Sequence, residues 1–148
     1  MLKMFLLHSQ RNNEKEGRTK NKRMKNSEVK SKKKYDLEDR LIDFAVSVIK
    51  LVESLPNTKS ANHLGGQLLR SGTSPSLNYG EAKSGESKND FIHKMKVCLK
   101  ELRESFNCLR IIQRAKISPE EQQVICLIEE CNELISIFVK SIVTATKQ

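Results

Sequence analysis

From Asp36 onward the chain carries a helical rhythm. Leu37, Leu41, Phe44, Val48, Leu51 and Leu55 follow spacings of 4, 3, 4, 3 and 4, which draw one apolar stripe down an α-helix. Asp36, Glu38 and Asp39 stand in its first turn, where the helix dipole favours anions. "LPNTKS" ends the pattern, because Pro56 cannot continue the hydrogen-bond ladder and Asn57 suits a turn. A second helix is expected from near Ser60, carrying Leu64, Leu68 and Leu69. A third follows "SKND", with Ser87 or Asn89 as its cap, and runs to about Ala115. Its stripe is Phe91, Met95, Cys98, Leu102, Ser105, Leu109 and Ile112, flanked by Ile92, Leu99 and Phe106. "ISPEE" predicts the fourth start, with Ser118 as N-cap, Pro119 in the first helical position and Glu120 and Glu121 on the positive end of the dipole. Val124, Leu127, Cys131, Leu134 and Phe138 form the fourth stripe, with Ile128, Ile135 and Ile142 beside it.

Four such helices with short connections predict an all-α, antiparallel up-down four-helix bundle, each helix roughly 30 to 40 Å long. Ile111 beside Ile112, and Val139, Ile142 and Val143 near the end, widen the apolar faces beyond one seam, which predicts a homo-oligomer.

"LLRSGTSPSLNYGEAKSG", residues 68–85, breaks the rhythm with small polar residues, three glycines and a proline. A phosphate cradle needs a glycine spacing such as G-x-x-x-x-G-K-[ST] after a strand, and neither is present. The G-x-S-x-G elbow of a serine nucleophile is also missing. Close packing of helices fits better. Ser71, Gly72, Ser74 and Ser76 lack bulk, Arg70, Asn78 and Glu81 need partners on neighbouring helices, and Pro75 predicts a kink or short break.

"QLLRSGTS…N..EA" followed by "S..DFIHK…LKE.RE…LR", Gln67 to Ala82 and Ser87 to Arg110, strongly resembles the 23S rRNA intervening-sequence proteins, also called the S23 ribosomal protein family. The likeness spans about residues 36–147. It implies a bundle assembling as a ring-like homopentamer, encoded in some bacteria inside an insertion in the large ribosomal RNA gene. A related branch serves diversity-generating retroelements, where it binds the reverse transcriptase and nucleic acid. Arg70, Ser71, Asn78, Glu81, Phe91, His93, Lys94, Lys100 and Glu101 match the family motif. Pro75 falls one residue early, and Tyr79 and Gly80 replace an aliphatic residue and an alanine.

Charge changes the picture only when it is located. The net charge of the 148-residue chain is +9, and residues 1–34 hold twelve Lys/Arg against three Glu, so the whole excess lies there. Residues 9–34 are too poor in large apolar side chains to repay ordering, so a basic disordered tail is expected over 1–34, with the bundle over 35–148. The tail reads as a nucleic-acid arm, as a solubilising segment, or, over residues 1–23, as translated leader upstream of a start at Met24.

Within the bundle the third helix is the basic one. Residues 91–116 carry seven basic and two acidic side chains, whereas 36–55 and 117–148 each carry two basic and five acidic. Lys96, Lys100, Arg103, Arg110 and Arg114 follow spacings of 4, 3, 7 and 4 along one side, with Lys94 on a neighbouring line. The row suits phosphates, RNA or DNA; the competing account pairs it with the acidic helices, within the bundle or between subunits.

No enzyme is expected. A trio of Glu81, His93 and Glu101 lacks a recognisable pocket, His93 reads as structural, and a buried Arg70 or Lys94 is the simpler partner for either carboxylate. Cys98, Cys108, Cys126 and Cys131 form no C-x-x-C pair, so they read as buried thiols in a reducing compartment, with no metal and no cofactor. The start "MLKMFLLHS" lacks a signal-peptide h-region, and no run is long enough to span a membrane, so a cytoplasmic protein is expected. The sequence therefore points to a non-enzymatic oligomeric bundle with weak electrostatic RNA or DNA binding, accessory to an RNA-processing or reverse-transcribing machine. The alternative is a protein-interaction scaffold that binds no nucleic acid.

Overall fold

A computed structural model describes residues 36–147; the expectations for residues 1–34 lie outside them. The described residues form four helices and no strand: α1 Leu37–Ser54, α2 Lys59–Lys83, α3 Lys88–Arg114 and α4 Glu121–Lys147. Each helix in sequence packs on the next, and α1 closes the bundle against α4 with the thinnest seam. No described helix is long and apolar enough to cross a membrane.

The helix starts follow from short polar side chains. Asp36, Thr58 and Ser87 sit in extended backbone, and each accepts an amide of the first turn, at 3.4, 3.2 and 3.1 Å. Ser87 is thus the cap of α3. The expected cap of α4 is displaced. Ser118 accepts the Glu120 amide at 3.0 Å, but the helical ladder begins only with the Val124 amide on the Glu120 carbonyl. The cause lies in how α3 ends. Lys116 turns left-handed, with φ 52°, while the Ile117 amide reaches the Ile112 carbonyl and the Lys116 amide the Gln113 carbonyl. This Schellman closure uses up the residues before Ser118, so α4 starts two residues late.

The predicted stripes make the core. Leu41, Phe44, Val48 and Leu51 of α1, Leu68 of α2, Met95, Cys98, Leu102, Leu109 and Ile112 of α3, and all five residues of the α4 stripe are buried. Full burial of such a side chain contributes about 1.5–3 kcal/mol, and packing of an amphipathic face of this kind supplies more of a helix's stability than propensity does. Leu69, next to the buried Leu68, is exposed.

α2 runs unbroken through Pro75, so the expected short break is not there. Pro75 is buried, its carbonyl accepts the Cys98 thiol at 3.5 Å, and this packing outweighs the one ladder bond that proline removes. The glycines of α2 explain why the helix can sit so deep. A Cβ on Gly72 would stand 2.8 and 2.9 Å from the two methyl carbons of Val48, and one on Gly65 would stand 3.3 Å from Val52. Gly66, one residue on, faces open space.

Two substitutions therefore have opposite signs. Gly66→Ala is expected to raise stability by about 0.5–1 kcal/mol, the helix-propensity gain. Gly72→Ala is expected to lower it by about 1–3 kcal/mol, because Val48 is β-branched and cannot swing aside. Urea midpoints at unchanged m value check both, and shifts of the same sign would contradict the close approach of α1 and α2.

Candidate nucleic-acid interface

At about 100° per residue, Lys96, Lys100, Arg103, Arg110 and Arg114 occupy one strip of α3 about 80° wide, opposite the strip that carries Met95, Leu102, Ser105 and Leu109 into the core. All five are exposed, and the row is ~27 Å long at ~1.5 Å per residue. Among the described residues none of the five forms an ion pair. Arg110 lays its guanidinium 5.5 Å from the centre of the Phe106 ring, which steadies it without neutralising it.

Three carboxylates of the acidic helices are spent elsewhere. Arg40 of α1 holds Glu130 of α4 through two hydrogen bonds, at 2.6 and 2.9 Å, and also reaches Glu133. Lys83 of α2 pairs with Glu38 of α1 at 2.6 Å. The expected intramolecular pairing of the basic row with α1 or α4 is therefore absent among the described residues. Lys94 does differ from the other cations: it pairs with Glu81 of α2 and faces that helix rather than the row.

The remaining motif residues join α2 to α3. Arg70 contacts Glu101 at 3.2 Å and also Glu104, and the Glu104 hydrogen bond is the main cause that raises its pKa further above the ordinary arginine value. Glu101 is buried, but Arg70 and Lys94 are more than a third exposed, so the expectation of buried cationic partners is corrected to cations at the rim. Below Arg70 the buried Ser105 hydroxyl donates to Ser71 Oγ at 2.9 Å and to the Glu101 carbonyl at 3.1 Å. Asn78 does not reach a neighbouring helix. Its Nδ2 bonds the Ser74 carbonyl and hydroxyl, at 3.0 and 2.9 Å, within α2. His93 is exposed. Glu81 and Glu101 are thus tied to separate cations rather than gathered around His93.

Sequence reasoning missed the Arg40–Glu130–Glu133 cluster. A signal for it exists: Arg40 is the one cation among four carboxylates of residues 36–43, and Glu130 and Glu133 lie three apart on α4.

Cys98, Cys108 and Cys131 are buried, whereas Cys126 is exposed, which corrects the expectation of four buried thiols. Burial pushes the Cys98 thiol up from 9.0 to about 11 and the Cys131 thiol to about 12. Among the described residues no three His, Cys, Asp or Glu side chains are grouped to hold a metal ion. One thiol, Cys126, is expected to react with a disulfide reagent in the folded chain at pH 8, and four after unfolding in urea. The buried thiols hold their protons in the fold and release them more readily when unfolded. Their contribution to stability is thus complete below pH 9.0 and lost as pH rises toward about 11 and 12. A urea midpoint that stays constant from pH 8 to pH 11 would contradict this.

Comparison with known proteins adds what geometry alone does not. The sequence model of the 23S rRNA-intervening sequence proteins matches residues 33–140. The chain also resembles the crystal structure of a protein with unknown function from the S23 ribosomal protein family of Bacteroides thetaiotaomicron VPI-5482. The two are 30% identical with a TM-score of 0.65, over 72% of this chain and 98% of that one. A search of curated proteins finds no match.

Proposed function

The chain belongs to the 23S rRNA-intervening sequence protein family, and from that premise we propose a non-enzymatic, homo-oligomeric bundle that binds RNA or DNA through the outer face of α3. The observation that carries the reading is the row Lys96, Lys100, Arg103, Arg110 and Arg114, exposed and unpaired along ~27 Å of helix. An exposed row of this kind attracts phosphates by releasing their counterions and reads no sequence. In a ring-like homopentamer, the assembly that the family resemblance implies, the row would repeat around the particle and its field would add. The partner is then a structured RNA or a nucleic acid in the hands of a reverse transcriptase or another processing protein, with the bundle as accessory factor in the cytoplasm.

The scarcity of aromatic platforms supports backbone rather than base recognition. Among the described residues Phe44 and Phe138 are buried, Phe91 and Tyr79 are half-buried against the core, and Tyr79 meets Phe138 edge to face with centroids 6.0 Å apart. Only Phe106 borders the row, and Arg110 covers it. Stacking on single-stranded bases needs open rings.

Fluorescence anisotropy with a labelled RNA over a salt series tests this on the full chain, on a chain beginning at Tyr35, and on that shorter chain with Lys96, Lys100, Arg103 and Arg110 changed to Gln. The shorter chain is expected to bind with a steep salt dependence. The Gln variant should lose about 3 from the slope of log K against log salt, at ~0.7–0.9 per phosphate contact. Binding by the full chain alone would leave the bundle as a protein-interaction scaffold and assign the signal to residues 1–34.

A further inference from the structure

The cationic row of α3 skips one position. Asn107 fills it, so that Lys96, Lys100, Arg103, Asn107, Arg110 and Arg114 make one stripe with spacings of 4, 3, 4, 3 and 4. Asn107 is exposed, and its carboxamide takes part in none of the hydrogen bonds of the turns around it, which run through Glu104 and Ser105. Both flanks leave it open. Arg110 leans over the Phe106 ring, 5.5 Å from its centre, on the α4 side of the stripe, and Glu104 on the other side is held by Arg70. Ile111, one turn further along the same flank as Asn107, is 49% exposed.

The cations therefore fall into two groups. Lys96, Lys100 and Arg103 cover ~10.5 Å of helix, Arg110 and Arg114 cover ~6 Å, and ~10.5 Å lies between Arg103 and Arg110 at ~1.5 Å per residue. A strip that follows one strand gains from a cation at every turn. An uncharged, hydrogen-bonding interval between two cationic groups fits two strands with a groove between them.

We infer that α3 lies across the minor groove of an A-form RNA duplex, with one cationic group on the phosphates of each strand and Asn107 bonded to ribose 2′-hydroxyls in the groove. The inference rests on the nucleic-acid reading above and names the substrate class of that same row. Groove dimensions separate the duplexes. The minor groove of B-DNA, about 6 Å wide, is narrower than the uncharged interval, and its major groove, about 12 Å wide, admits a helix lengthwise. In that pose the groove walls meet the flanks of the helix, and beside Asn107 those flanks carry Phe106 and Glu104 rather than cations. An A-form duplex closes its major groove to side chains and offers a wide, shallow minor groove that displays its 2′-hydroxyls. A carboxamide donates and accepts, as a hydroxyl does, so Asn107 can bond a 2′-hydroxyl in either sense. Ile111 beside it adds apolar contact with the sugars.

Fluorescence anisotropy tests this on the full chain with three probes: a blunt RNA duplex of about 16 base pairs, the DNA duplex of the same sequence, and the 2′-O-methyl form of the RNA duplex, which keeps the A-form and masks the hydroxyl donors. The unaltered chain is expected to bind the RNA duplex about 3- to 10-fold more tightly than either other probe, the range set by a hydrogen bond of ordinary strength. Asn107→Ala should abolish that preference by weakening RNA-duplex binding alone, with the slope of log K against log salt unchanged. Asn107→Lys should also abolish it, but with a slope steeper by about 0.9 on every probe. Equal affinity for the three probes, or an Asn107→Ala loss shared by DNA, overturns the inference and leaves the row as a binding surface. RNA-duplex binding that survives unchanged when Lys96, Lys100, Arg103 and Arg110 become Gln overturns the nucleic-acid reading of the row, and the inference with it. The 2′-O-methyl comparison uses the unaltered chain, so it decides the matter even if a variant loses helical signal in circular dichroism.

Discussion

At Gly72 the missing side chain is what lets α2 lie directly on α1. A Cβ there would sit 2.8 Å from a Val48 methyl, closer than real Cβ contacts come. On the opposite flank of the same helix turn Ser71 is fully buried and shares its hydroxyl with Ser105 of α3 at 2.9 Å. Small residues thus bring both neighbours close, and the two hydroxyls that this buries are satisfied within the contact. A buried hydroxyl without a partner would cost about 1–3 kcal/mol, so Ser71 and Ser105 specify each other as well as the spacing.

The position of α3 follows from that contact, and with it the face that α3 turns outward. Ser105 and Glu101 are held inward by Ser71 and Arg70, so Lys96, Arg103, Arg110 and Arg114, about half a helical turn away, are held outward. Facing outward, the row meets no carboxylate among the described residues, and several acids are engaged at other seams. Glu130, Glu133 and Glu38 are committed to Arg40 and Lys83 at other seams, and Glu101 and Glu104 to Arg70. The polar stretch 68–85 acts on function indirectly, as the packing device that aims a helix.

Periodicity is a local property, so the four stripes, the Asp36 and Ser87 caps and the basic row are legible in the order of residues alone. The features that are not legible there depend on neighbours distant in sequence. Pro75 reads as a break, yet a buried seat against Cys98 keeps α2 helical. Ser118 reads as a cap, yet the left-handed Lys116 delays the helix behind it. Asn78 reads as an interhelical group and is satisfied by Ser74 at its own i−4 position. Cys126 and Leu69 are apolar residues beside a stripe, and phase within a few tens of degrees decides burial there. The basic row is visible in the sequence, but its freedom from ion pairs is not, because that depends on which acids other helices claim. The family match over residues 33–140 covers the same stretch that carries the two linked motifs.

Native-state hydrogen exchange on the amides of α2 tests the account most directly. If Gly65, Ser71 and Gly72 form the tightest contact in the bundle, amides from Leu68 to Ser76 should exchange only through global unfolding, with the same free energy as the core amides of α3. Local exchange around Pro75, faster than in α1 and α3, would mean that the stretch is a hinge and that the aim of α3 is set elsewhere.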